Sequence, residues 1–158
     1  MAIRKERVSG LPENNFMYKT ISLPGNRVFV IGGSKDISGN SCTNQTYELV
    51  DGKFEQRANM WINRAAFGCA VYPNFSQIFI AGGKTSANEA TKQCERYIVA
   101  NNQWKRLPEL REAKFSVSLC FFNNGSTLYC FGGLYQTSPQ TLSASPKIER
   151  LSKGQNSW

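Results

Sequence analysis

Val28-Phe29-Val30-Ile31-Gly32-Gly33, Ile78-Phe79-Ile80-Ala81-Gly82-Gly83 and Leu128-Tyr129-Cys130-Phe131-Gly132-Gly133 are three versions of one hexapeptide, set 50 residues apart. In each, four β-compatible apolar residues run without a polar break into a glycine pair. Such a run suits a short strand covered on both faces, and no helical periodicity competes with it. A glycine closing a buried strand lets neighbouring backbone approach closely and admits positive φ in the turn that follows. The fixed period makes the chain an array of one structural unit, each copy burying its apolar face against the next.

Two further anchors share the period. Tyr47 precedes Phe54 by seven residues, Tyr97 precedes Trp104 by seven, and Leu151 precedes Trp158 by seven. Between them stand Asp51-Gly52, Asn101-Asn102 and Lys153-Gly154, residues that tolerate positive φ, so each pair reads as a tight hairpin. Arg64 and Lys114 lie 18 residues before their glycine pairs, and Asn14 takes that place in the first unit. One unit is therefore four short strands; in the middle unit they fall at about 66–72, 77–82, 93–99 and 103–106. Four antiparallel strands linked in order form a meander, which is one blade of a propeller.

Together these residues resemble the kelch repeats of β-propellers: a basic residue, an apolar strand ending in Gly-Gly, a spaced Tyr, then a Trp. The pattern is met by Arg64, Gly82-Gly83, Tyr97 and Trp104, and by Lys114, Gly132-Gly133 and Trp158. Phe54, Leu151 and Asn14 depart from it. The resemblance covers roughly 11–158 and implies an all-β fold of consecutive four-stranded antiparallel blades, at about 11–57, 58–107 and 108–158, after a basic segment at 1–10. A closed ring needs about 4–8 blades. Three are an incomplete ring, so further blades, self-association of two copies or a partner over the open ends is expected. The resemblance also implies docking of a protein partner, as in ubiquitin-ligase adaptors, actin-binding scaffolds and subunits of large assemblies.

Nineteen Lys and Arg against eleven Asp and Glu give a net charge of +8, with the densest cluster at Arg4-Lys5-Glu6-Arg7. Such a balance fits a solvated basic surface or attraction to an acidic partner. No nucleic-acid motif is present, and the aromatic residues fall in strand columns where packing accounts for them. The five cysteines form no Cys-x-x-Cys pair, and three of them lie in apolar strands as small hydrophobes. No apolar stretch approaches the roughly 18 residues of a membrane span. The N-terminus lacks the apolar core of a signal peptide, so a cytoplasmic location is expected.

The chain contains no histidine. That removes Ser-His-Asp and Cys-His nucleophile systems and imidazole metal sites. No metal, cofactor or catalytic residue is expected. A sugar-processing propeller enzyme of the sialic acid epimerase type is the rival reading, and a basic docking subunit of a cytoskeletal or nucleoprotein assembly is another.

Gly32, Gly33, Gly82, Gly83, Gly132, Gly133, Tyr47, Tyr97, Trp104 and Trp158 are expected to be structural anchors. In a meander, the loop between strands two and three emerges on the same face as the loop between blades. Those are the long loops here: 34–46, 84–93, 134–145, 56–63 and 107–113. Long loops on a rigid scaffold are where recognition residues concentrate. The expected binding residues are Lys35, Trp61, Arg64, Lys84, Arg111, Lys114 and Tyr135. Arg64 and Lys114 could equally pair with a neighbouring blade.

Overall fold

The computed structural model describes residues 10–11, 15–87, 89–138 and 141–158. The basic cluster at 4–7, Asn14 and Pro139 lie outside the described residues. Among the described residues all regular structure is β, apart from two single 3-10 turns at Val99–Asn101 and Asn123–Gly125. The first sheet holds β1 (Lys19–Leu23), β2 (Arg27–Ile31), β3 (Thr46–Val50) and β4 (Lys53–Arg57). The second holds β5 (Gly68–Val71), β6 (Gln77–Ala81), β7 (Cys94–Ile98) and β8 (Gln103–Leu107). In both, spatial order follows chain order and every pairing is antiparallel.

The third sheet differs from the expected four strands. It contains β9 (Ser118–Phe122), β10 (Thr127–Phe131) and β13 (Ile148–Ser152) in the order β13-β10-β9. The long connection between β10 and β13 is itself folded into a hairpin, β11 (Leu134–Ser138) with β12 (Thr141–Ala144). Trp158 nevertheless reaches its expected place without a strand to carry it. Its indole Nε1 donates to Pro108 O at 2.7 Å, as the Trp104 Nε1 donates at 2.9 Å to Ala58 O, the acceptor 50 residues before Pro108.

The sheets stack face to face through two apolar seams. Leu23, Phe29 and Ile31 of the first sheet meet Phe67, Ile78, Ile80, Tyr97 and Trp104 of the second. Ala70, Phe79, Ala81 and Cys94 of the second meet Val117, Leu128, Cys130 and Trp158 in the other seam. Period-2 alternation makes this possible: Ile78 and Ile80 face one neighbour while Phe79 and Ala81 face the other. That is why the strands before the glycines are apolar throughout.

The glycine pairs seal these seams. Gly83 donates its N–H to Lys114 O and Gly33 to Arg64 O, each 2.9 Å, so the first two pairs are each bonded to the residue that opens the next sheet. The backbone comes so close that a Cβ on Gly82 (φ +63°) would lie 2.3 Å from Lys114 O.

The strand register corrects one anchor. Leu49, not Tyr47, pairs with Phe54, as Tyr97 pairs with Trp104 and as Leu151 faces Leu128. Tyr47 occupies the place held by Glu95 in the second sheet, opposite Val30 as Glu95 is opposite Ile80. The first loop is two residues longer than the second, and the Asp51-Gly52 turn two residues shorter than 99–102. The two differences cancel, preserving the 50-residue period while shifting the residues between.

Candidate functional site

The repeated spacing of Arg64 and Lys114 is explained by burial, and their assignment as binding residues is corrected by it. Both side chains are 0% exposed. Arg64 Nη2 contacts Glu95 Oε1 at 2.6 Å, and its Nη1 donates to Gly82 O at 2.8 Å and Gln93 O at 2.7 Å. Burial draws the guanidinium below its ordinary value, and Glu95 opposes that. Lys114 repeats the arrangement, with Nζ 2.9 Å from Glu149 Oε1. The same two carboxylates also accept from backbone: Trp61 N–H to Glu95 at 2.8 Å, Arg111 N–H to Glu149 at 2.6 Å. Each acid thus ties a buried cation to the loop entering its blade. These cations cannot meet a partner, because their charge is spent inside the sheet.

The remaining expected residues lie on the long-loop face. Loops of successive units touch there: Cys42 N–H donates to Ser86 Oγ at 3.0 Å, and Ala90 N–H to Gln136 Oε1 at 3.3 Å. Lys35 is exposed in the first loop. The neighbouring Asp36 is held well below the carboxylate range by the Asn40 N–H and nearby serines. Lys84 is half-buried, its Nζ donating to Ser38 O at 2.6 Å, so it fastens one loop to the next. Trp61 is 58% exposed, with the Arg106 guanidinium 4.9 Å above its ring. A large aromatic held out by a cation stack is the kind of side chain that anchors interfaces.

Arg111 and Tyr135 come together. They line a cleft of about 940 Å³ beside the third sheet, with Lys92, Lys147, Arg150 and Trp158. Arg111 stands where Trp61 stands one unit earlier, and its Nε donates to the Trp158 carbonyl at 2.7 Å. The acids at the cleft are occupied. Glu112 accepts from Ser145 (2.7 Å) and Lys147 (3.0 Å), which hold its carboxyl below the ordinary range, and Glu149 serves Lys114. Among the described residues, Lys92, Arg111 and Arg150 have no Asp or Glu partner, and Arg111 is held only through Nε by Trp158 O, so the cleft presents an excess of positive charge. The structure does not bring Lys35 or Trp61 into it.

Residues 64–111 match the family model described as the Kelch motif. That window runs from the buried Arg64 through the whole second sheet. The second sheet thus matches a kelch repeat. The chain is also 29% identical over 117 residues to the F-box/kelch-repeat protein SKIP30 of Arabidopsis thaliana. The match covers 68% of this chain and 33% of that protein, so the chain spans about a third of the curated relative. Among the described residues no helix is long and apolar enough to cross a membrane.

Sequence reasoning missed Glu95 and Glu149 as partners of the basic anchors. The recurrent Glu-Arg pairs at 95–96 and 149–150 were the available signal, but loops of different length put them out of the 50-residue register. Lys92 and Arg150 were missed as well, because nothing in a linear pattern shows which cations lack a counter-ion.

Proposed function

We propose that this chain is a non-catalytic protein-interaction module whose long-loop face docks an acidic protein partner. The observation that carries the reading is the cleft of about 940 Å³ on which Arg111 and Tyr135 converge with Lys92 and Arg150. A concave surface with a tyrosine, a tryptophan wall and cations lacking counter-ions is suited to an acidic segment, both by attraction at a distance and by charge-assisted hydrogen bonds on contact. Trp61, Lys35 and Lys84 extend the surface towards the first two blades. The kelch assignment supports the reading, since the repeat is a scaffold that displays loops. So does the absence of histidine, which leaves the commonest general base unavailable on this face.

Three blades at about 11–57, 58–107 and 108–158 are part of the proposal. The third sheet leaves Phe122 (64%) and Ile148 (60%) exposed at positions that Tyr72 and Cys94 fill inside the second seam. A further blade or a second copy packing there completes the surface. The five free cysteines support a reducing, cytoplasmic setting.

Affinity capture from native extract tests the reading. Arg111→Glu and Lys92→Glu should abolish recovery of the partner at unchanged melting temperature, whereas Lys53→Glu, in a short turn of the opposite face, should leave it intact. Raising salt from 0.1 M to 1 M shortens the Debye length from about 10 Å to about 3 Å and should weaken capture. Equal loss from both faces would overturn the assignment.

A further inference from the structure

The two seams of this chain are built from matching positions, so each serves as a control for the other. In the first, Tyr97 projects from the third strand, its ring 5.7 Å from Phe29 and 5.2 Å from Trp104, and the space is filled. In the second, the matching residue is Leu151, which is smaller by most of a ring. Phe79 turns instead to Phe121 at 5.0 Å, and Tyr72 to Phe121 at 5.2 Å. What remains is a groove of about 530 Å³ walled by Tyr72, Phe79, Phe121, Leu128 and Leu151.

The charge at the seam changes in step with the volume. At the position of Glu48 the second seam has Arg96: both lie one residue before the Leu49 or Tyr97 position and opposite Phe29 or Phe79. Glu48 is neutralised on both sides, by Arg27 and by Arg57 at 2.7 Å. The residues matching those two arginines are Gln77 and Leu107, so Arg96 inherits no counter-ion. Among the described residues its Nη1 reaches only Gln77 Oε1, at 3.2 Å. Its Nε is buried and finds no acceptor. An arginine with no carboxylate partner among the described residues, on the wall of a groove with aromatic sides and a polar rim, is a combination that a ligand resolves.

We infer that this inter-blade groove binds a small organic carboxylate with an aromatic or branched apolar body. The body lies against Tyr72, Phe79 and Phe121, in the volume that Tyr97 fills in the other seam. The carboxylate accepts from the Arg96 guanidinium, whose planar fork matches its two oxygens. Lys153, on the turn at the mouth of the groove, adds attraction for an anion. The site is separate from the long-loop cleft: Arg111, Tyr135 and Lys92 do not line it.

Phenylacetate and its neutral counterpart phenylacetamide are the probes, added to the full chain and followed by calorimetric titration and by ligand-observed NMR. Phenylacetate should saturate, and phenylacetamide should bind at least about tenfold more weakly, because it offers no charge to Arg96. Arg96→Gln should erase that preference while leaving the melting temperature within a few degrees. Leu151→Tyr copies the filled seam and should abolish binding of both probes without lowering the melting temperature. Equal affinity for the two probes, no saturation by phenylacetate up to about 10 mM, or undiminished binding to the folded Leu151→Tyr protein would each overturn the inference.

Discussion

Replacing Glu95 by alanine strips a fully buried arginine of the carboxylate paired with it and leaves the Trp61 N–H without its acceptor. Breaking a buried pair from one side typically costs about 3–5 kcal/mol, since the remaining charge is left in a low-dielectric site. Arg64 keeps two carbonyl partners, Gly82 O and Gln93 O, which places the expected loss near the lower end, about 3 kcal/mol. With a urea m-value of about 2 kcal/mol/M for a domain of this size, the unfolding midpoint should fall by about 1.5 M. Tryptophan fluorescence reports it directly, because Trp104 sits in the seam that Glu95 helps to close. Arg64→Met combined with Glu95→Leu removes both charges and should recover at least half of the loss. A Glu95→Ala protein within about 0.5 kcal/mol of the parent, the ordinary scale of a surface substitution, would refute the role assigned to the buried pair.

Other outcomes follow from the same geometry. Gly82→Ala should cost about 2–3 kcal/mol, from a disfavoured φ and the displaced Lys114 carbonyl, whereas Gly132→Ala, whose Cβ would meet only Ser145 O at 3.5 Å, should cost about 1 kcal/mol in the same denaturant melts. Trp104→Ala should cost about 3–5 kcal/mol by the same measure, because the ring is buried and its indole N–H is bonded across the seam. Burial pushes the thiols of Cys69 and Cys94 up to about 12 and of Cys130 to about 11, so a disulfide-exchange reagent at pH 8 should label the exposed Cys120 rapidly and those three only on unfolding. Glu48 is buried, which alone would raise its carboxyl, but Arg27 and Arg57 hold it below the ordinary value of 4.5. Its folded value is therefore depressed, so its contribution is present above pH 4.5 and is lost as pH falls through the lower folded value. Glu48→Gln should flatten the acid limb of a stability-versus-pH curve.

The glycine period carried the architecture because it reports backbone geometry, which tolerates little change: Gly82 has no room for a Cβ whatever surrounds it. The alternation of Ile78 and Ile80 with Phe79 and Ala81 was legible for the same reason. The Tyr47 register was not, since two loop-length changes of opposite sign cancel in the count and leave no trace in the spacing. The hairpin at Leu134–Ala144 was hidden by its composition, a polar Ser/Thr/Gln stretch that reads as loop. For the candidate site, the gathering of the long loops on one face was legible from connectivity alone. Individual side chains were less so: Arg64 and Lys114 show the same charge to a sequence reader as Lys92 and Arg150, and only the presence of Glu95 and Glu149 separates the neutralised cations from the free ones.

Hydrogen–deuterium exchange of the captured complex decides whether recognition occurs on the long-loop face. Binding should slow exchange at 34–42, 58–63, 84–92 and 109–113 and across the β11–β12 hairpin, while the short turns at 24–26, 51–52, 73–76 and 123–126 exchange as in the free chain. Protection confined to those short turns, with the long loops unchanged, would contradict the account.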